Sequence, residues 1–338
     1  MIRVVTVDDI RQLIRKVTLK TFFLRLADRL SQDFARWLEF QKNARLAAYV
    51  EGGVLELMPI LDHDYFSYKY VNGHPLNPLI NRQTVVAMGM LADVATGYPV
   101  LVSEMTILTA LRTAAISAVA SKHLARKNSR HFGIIGTGAQ SEFQVAAHAA
   151  LFPLETVYYY DLDAAAMEKF ARNMEKIPYL KARCVPCENG EAVLLQSDII
   201  TTATARKMQA HVLSKDAVPA GIHINGIGGD SPGKTELDPA ILESAKVVVE
   251  FWDQTQHEGE MQQLGGILPY AELWEMITGK KPGRVSDEEV TVFDSVGFAL
   301  EDYSVLRLVH QLANEFHVGH QLDLIPEPPH PKDLFAVL

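Results

Sequence analysis

Several groups of residues in this chain have the types and spacing to do chemistry. The first is Gly136-Thr137-Gly138-Ala139-Gln140-Ser141, which follows the apolar run HFGII and opens a helical pattern. In such a turn the first glycine allows a tight bend and the second lets a pyrophosphate approach the backbone. The helix N-terminus behind it offers free N–H groups and a positive dipole end. Ser141 replaces the usual third glycine and is still small enough for close helix–strand packing. The next expected strand ends at Asp161, 25 residues after Gly136, where a carboxylate meets a ribose 2′-hydroxyl and repels a 2′-phosphate. That favours NAD over NADP. The plainer alternative is a βαβ unit with a glycine turn, in which Asp163 merely caps the second helix.

Arg112 is the only charge between Met105 and Ser121. A guanidinium in a buried helix is costly unless paired, and no carboxylate lies within four positions. Its partner is therefore non-local, either a bound anion or a structural carboxylate. Asn225-Gly226-Ile227-Gly228-Gly229-Asp230 follows another expected strand. Glycines at the carboxyl end of a strand open room for a ligand. Asp230 there could serve as an acid–base group for amine oxidation, or simply form a turn. Arg45, Glu56 and Lys69 lie on or beside three successive expected strands. Strand alternation can put them on one face, where two cations and an anion suit a zwitterion, or they are three solvent-facing charges. Cys184-Val-Pro-Cys187 has no second cysteine pair for zinc, and the pair reads as incidental. HExxH and GxSxG are absent, so no metal site and no hydrolase elbow is expected.

The elements that must position these residues fall into two patterns. Asp8 is expected to cap a first helix, and apolar residues recur at three and four from Lys20 to Lys42. Strands follow at 46–50, 54–58, 65–71, 85–94 and 98–105, forming a largely antiparallel sheet. A helix almost wholly apolar covers 106–125. From about residue 130 strands alternate with helices, which predicts a parallel sheet covered on both faces. A final amphipathic helix spans 300–316, and a Pro-rich tail ends the chain.

Length and charge bound the partners. The chain has 338 residues, 48% of them apolar and 22% charged, so about two ordinary globular domains are expected. A net charge of −9 without a Lys/Arg block argues against nucleic acid. The longest apolar stretches are interrupted by Arg112 and Asp93, so no membrane span is expected. The N-terminus lacks a secretory core, and two cysteines suit a reducing cytoplasm.

The stretches ELMPI (56–60), KYVNGHP (69–75), LADVATGYPVL (91–101), ALRTAA (110–115), GTGAQSEFQ (136–144), GGDSPGKTEL (228–237) and TVFDSVGFALEDY (291–303) occur in collinear order. On these the whole chain resembles the ornithine cyclodeaminase/mu-crystallin family. The resemblance implies an α/β fold: a Rossmann-type doubly wound parallel sheet, residues 126–304, plus an α+β substrate and dimerisation domain, residues 1–125 and 305–338. It implies a homodimer acting on a small amino acid. The implied reaction turns L-ornithine into L-proline and ammonia, with NAD recycled within each turnover. Dehydrogenases, ketimine reductases and lysine cyclodeaminases of the same family are the alternative. Residue by residue, it implies that Arg45, Lys69 and Arg112 hold the α-carboxylate, with Val296 beside the substrate. Asp230 would be the acid–base group and Glu56 a second proton-transfer candidate. Thr84, Arg112, Gly136, Gly138, Ala139, Gln140, Asp161, Thr202, Asn225, Gly226, Ile227, Lys234 and Ser295 would hold NAD.

Overall fold

The computed structural model describes residues 1–204, 212–229 and 231–338. Two sheets organise them. The first collects β1 (Ile2–Val5), β2 (Gln41–Lys42), β3 (Leu46–Val50), β4 (Gly53–Leu61), β5 (Tyr65–Gly73), β6 (Val85–Asp93) and β7 (Pro99–Glu104). The second is built from β8 (His131–Ile135), β9 (Thr156–Tyr160), β10 (Arg183–Pro186), β11 (Ile199–Thr202), β12 (His223–Gly226), β13 (Lys246–Val249), β14 (Ala271–Glu272) and β15 (Thr291–Asp294). A last strand, β16 (His320–Leu322), returns to the first sheet and pairs with β1.

In the first sheet the order is β16-β1-β7-β6-β5-β4-β2, with β3 also on β4. Alternation sets its two faces. Met58, Ile60, Val71, Ala87, Leu91 and Leu101 turn into the core, while Leu57, Tyr70, Val86 and Met88 stay exposed. β1 and β16 were not expected from the sequence. Each is too short to show an alternating pattern, and tertiary pairing defines them. β1 runs parallel to β7, so the sheet is mixed rather than wholly antiparallel.

The first two helices also differ from expectation. α1 (Val7–Val17) is capped by Thr6, not Asp8. The Asp9 carboxylate accepts from Thr6 N at 2.9 Å, and Thr6 Oγ1 accepts from Asp9 N, a reciprocal capping box. α2 (Leu19–Ala35) stops well short of Lys42, and Trp37–Glu39 forms a 3-10 turn leading into β2. Trp37 packs against Phe34, Phe251, Trp274 and Phe298. That aromatic cluster diverts the chain while Trp37 and Phe40 stay buried, so the apolar spacing outlives the helix.

α3 (Thr106–Leu124) is apolar all round because it is enclosed, packing on α2, on α4 (Ser141–Leu151) and on strands of both sheets. α5 (Ala164–Met174) and the short α6 (Gly190–Leu195), α7 (Pro239–Ser244), α8 (Trp252–Thr255) and α9 (Leu273–Ile277) connect the second sheet's strands. α10 (Ala299–Glu315) leaves that sheet and packs on α2, α3 and β4–β6.

The second sheet is parallel throughout, in the order β10-β9-β8-β11-β12-β15-β13-β14. Its strand order reverses between β8 and β11. In doubly wound sheets the ligand crevice opens outside the carboxyl ends at that point. Among the described residues no helix is long and apolar enough to cross a membrane.

Candidate active site

Pairing aligns the carboxyl ends that frame this crevice. Thr202 lies opposite Ile135 on one side and Gly226 on the other, and Gly226 lies opposite Asp294. Gly136 leaves β8 with φ +94°, and a Cβ there would stand 2.5 Å from the Ala203 carbonyl oxygen. Only glycine makes this turn. A Cβ on Gly138 would meet nothing within 4 Å. Gln140 precedes α4 without a side-chain cap, and its buried Oε1 has no hydrogen-bond partner. Ala139 and Gln140 donate no backbone hydrogen bond to the described chain. Asp161, just past β9, accepts from Thr137 N at 2.6 Å and from Asp163 N at 3.0 Å. It therefore braces the glycine turn, and it remains partly exposed. Open donors at a helix N-terminus, an empty approach at Gly138 and a carboxylate one strand away fit a dinucleotide such as NAD.

The other expected cofactor residues are placed unequally. The buried Asn225 side chain is engaged below the crevice: its Nδ2 donates to Ser121 Oγ at 3.2 Å and its Oδ1 meets His223 Nε2 at 3.2 Å. Ser121 also meets His148 Nε2 at 3.1 Å. Burial pushes His148 down to about 4 and His223 down to about 3, so this buried polar chain is neutral. Asn225 thus presents backbone to the crevice. Ile227 N donates to Thr202 O at 3.2 Å. Ser295 Oγ donates to Glu250 Oε1 at 2.5 Å, and Val296 N and Gly297 N donate to the same carboxylate. Burial raises Glu250, the Ser295 hydrogen bond opposing it. Lys234 is half-buried. Thr84 precedes β6 in the first sheet, where its carbonyl accepts from His74 N at 2.8 Å.

The second half of the site is a cluster of charges. In the β4–β5 register Lys69 lies opposite Met58, two residues from Glu56. Lys69 and Glu56 therefore share the inward face. Arg45 reaches them from the start of β3. Its Nη1 donates to Glu56 at 3.1 Å, its Nη2 to the carbonyls of Val296 and Gly297, and its Nε lies 3.0 Å from Glu258. Lys69 Nζ sits 2.9 Å from Asp302. Arg112 donates from Nη1 to Glu301 at 2.6 Å and from Nε to Asp302 at 3.0 Å. Its Nη2 has no acceptor among the described residues and lies against Gly297, where a Cβ would come within 2.7 Å of it.

Burial sets the electrostatics. Lys69 is only 1% exposed. Burial, with Arg112 beside it, lowers the ammonium to about 8 against the pull of Asp302. Burial also lowers Arg112, but Asp302 and Glu301 outweigh it and the net shift is upward. Burial raises Glu301 to about 8, with Arg112 opposing and Glu250 and Asp302 adding to the rise.

Asp230 lies outside the described residues. Arg45, Glu56, Lys69, Arg112 and Val296 are brought together. The structural carboxylate partner that the sequence left open for Arg112 is present twice over, in Glu301 and Asp302. These two acids, with Glu250 and Glu258, were missed from sequence. A signal existed: two adjacent acids in the first turn of ALEDYSVL, a helix buried nearly all round, need buried cations as Arg112 needs acids. Cys184 and Cys187 are free thiols, and burial pushes Cys184 up to about 11, so little reactive thiolate forms at neutral pH.

Comparison with known proteins identifies the family. Residues 7–316 match the ornithine cyclodeaminase/mu-crystallin family. An ornithine cyclodeaminase of Agrobacterium fabrum is 46% identical over 334 residues, 99% of this chain and 94% of that protein. The solved lysine cyclodeaminase described for recognition of L-lysine, L-ornithine and L-2,4-diaminobutyric acid superposes with a TM-score of 0.91. It is 30% identical and covers 100% of this chain and 99% of its own. An archaeal alanine dehydrogenase dimer with bound NAD gives a TM-score of 0.86 at 33% identity, covering 96% of this chain and 99% of its own. With full-length kinship and the same architecture, the chain belongs to the ornithine cyclodeaminase/mu-crystallin family.

Proposed function

We propose that this protein is an NAD-dependent ornithine cyclodeaminase, converting L-ornithine to L-proline and ammonia as a cytoplasmic homodimer. The observation that carries the reading is the meeting of two features. Arg112 lies against Gly297, on the loop that leaves β15 at the edge of the dinucleotide crevice, and shares Asp302 with Lys69. A substrate carboxylate held there has its Cα next to the crevice. Kinship then selects the reaction.

NAD, when bound, supplies an acceptor and then a donor for one hydride at the substrate Cα, so none is consumed. Gly136, Gly138, Ala139, Gln140 and Asp161 would hold its pyrophosphate and ribose. Thr84, Arg112, Thr202, Asn225, Gly226, Ile227, Lys234 and Ser295 would complete that surface. For the amino acid, the Lys69 N–H groups not given to Asp302 and the Nη2 of Arg112 are the donors left for the α-carboxylate. Arg45 stands on the same wall, tying Glu56 and Glu258 to the carbonyls of Val296 and Gly297. Oxidation of an amine needs a proton removed, and release of ammonia needs one delivered. Asp230 and Glu56 are the carboxylates proposed for that traffic.

Residues 1–125 with 305–338 would form the substrate and dimer unit, and 126–304 the cofactor unit. Leu46, Val50, Leu57, Tyr70, Val86 and Met88 are exposed on one face of the first sheet. A contiguous apolar face of this kind suits burial against a second copy.

The test is incubation of pure protein with L-ornithine and a trace of NAD, measuring proline, ammonia and NADH absorbance. Equal proline and ammonia without NADH build-up are expected. Stoichiometric NADH would replace this reading with an amino-acid dehydrogenase. L-Lysine, run in parallel, tests chain-length selectivity, since one methylene is worth only about 1–3 kcal/mol in a pocket.

A further inference from the structure

Three elements distant in sequence meet at one carboxylate. Lys69 comes from β5, Arg112 from α3 and Asp302 from the first turn of α10. Asp302 Oδ1 accepts from Lys69 Nζ and from Arg112 Nε, each at 3.0 Å. Its Oδ2 lies 2.9 Å from the same ammonium. Glu301 takes Arg112 Nη1 at 2.6 Å and is itself fixed by Phe298 N at 3.2 Å. All four side chains are at most 4% exposed. Two cations this close in a dry site repel each other, and neither can recruit water to offset the cost. A shared anion is what lets both remain charged and side by side.

We propose that Asp302 is a positioning residue for the substrate carboxylate, holding Lys69 and Arg112 together as a preformed clamp, with Glu301 locking the guanidinium's rotation. The clamp rests on the reading of Lys69 and Arg112 as carboxylate anchors. Asp302 occupies one side of both cations and leaves Arg112 Nη2 and the remaining Lys69 N–H groups for the ligand. A planar carboxylate then meets donors already in place, without first paying to order two long side chains.

The charges around the two cations fit the same arrangement. The groups facing Lys69 are Arg112 on α3, Asp302 on α10 and Arg45 before β3, and Glu301 faces Arg112. Glu250, after β13, faces Arg112 and Glu301. Among these groups Asp302 is the carboxylate that both cations share. Removing the Asp302 charge withdraws the group that keeps the Lys69 ammonium from falling further.

The test compares Asp302→Asn and Asp302→Glu with the parent protein, all loaded with NAD. For Asp302→Asn the KM for L-ornithine should rise about 10- to 100-fold, with kcat changed less than about threefold. The alkaline limb of kcat/KM should move about one pH unit lower. Asp302→Glu keeps the charge but displaces it by a methylene. It should leave the limb in place and still raise KM at least about threefold. A folded Asp302→Asn with unchanged KM and limb overturns the proposal. If Asp302→Asn does not fold, an unchanged KM in Asp302→Glu overturns it instead. Binding of L-proline to the NAD-loaded proteins, followed by calorimetry, separates this from the activity itself. Absence of turnover in the parent protein refutes the activity, while weaker L-proline binding in the variants upholds the clamp.

Discussion

The two halves of the site are built on opposite principles. The dinucleotide crevice is mostly backbone: a glycine at φ +94°, an open approach at Gly138 and N–H groups at the start of α4 with no acceptor among the described residues. The substrate side is mostly side-chain charge: Arg45, Lys69 and Arg112 against Glu56, Glu258, Glu301 and Asp302. Backbone binding tolerates side-chain change but not a change of conformation. A charge cluster tolerates small shifts of backbone but not the loss of one member, because the partner left behind is buried and unpaired.

The contrast predicts how each half breaks. Lys69→Met strikes the charge cluster. It should lower kcat/KM for L-ornithine by about a hundred- to a thousandfold and leave NAD affinity within about twofold. Steady-state kinetics and a cofactor titration check both, and a comparable loss of NAD affinity would merge the halves that the comparison separates. Gly136→Ala strikes the backbone. Strain at positive φ and contact with Ala203 O should cost about 1–3 kcal/mol of stability, read as a lower denaturation midpoint, together with weaker NAD binding. Gly138→Ala has room and should stay within about 0.5 kcal/mol of the parent, any effect falling on NAD alone.

pH should act on the charged half only. Lys69 titrates at about 8, below the ordinary lysine value, chiefly through burial. The protonated form binds the carboxylate, so affinity is full below about pH 8 and lost above it. KM should then climb about tenfold per pH unit, while kcat stays nearly level. A flat KM between pH 7 and 10 would remove Lys69 from the anchor. Asp161→Ala is the milder test of the crevice: about a tenfold loss in NAD affinity, with NADP gaining relative to NAD. Cys184→Ser should be the smallest change, leaving turnover and NAD binding where they were.

The same contrast explains what could be read from the amino acids. Gly136, Gly138 and Asp161 lie within 26 residues of one another, and their meaning depends on a local strand–turn–helix pattern. β8 accordingly formed over the expected HFGII run, and β9 ends one residue before Asp161. Arg112 announced itself as a charge in an apolar helix, and the need for a distant partner followed from desolvation alone. Which partner it has could not follow, since Glu301 and Asp302 stand 189 and 190 residues away. β1 and β16 were invisible for a related reason: a short strand without alternation is defined by the neighbour it pairs with. Trp37 shows the converse, where apolar spacing continues after the helix has ended because the residues stay buried in a different conformation.

The sequence by itself determined the two patterns of elements, the glycine turn at the head of a helix and the presence of a buried cation in α3. These depend on interactions within a few residues, where steric limits and hydrophobic period act directly. The tertiary structure alone decided which acids neutralise which cations, and that Arg45 is bonded through all three guanidinium nitrogens while Arg112 Nη2 has no acceptor among the described residues. It also decided that Asn225 turns its amide away from the crevice. Those outcomes depend on how α10 and β15 pack against β4, β5 and α3, because a charge inside a protein takes its meaning from whatever the fold brings within hydrogen-bonding distance.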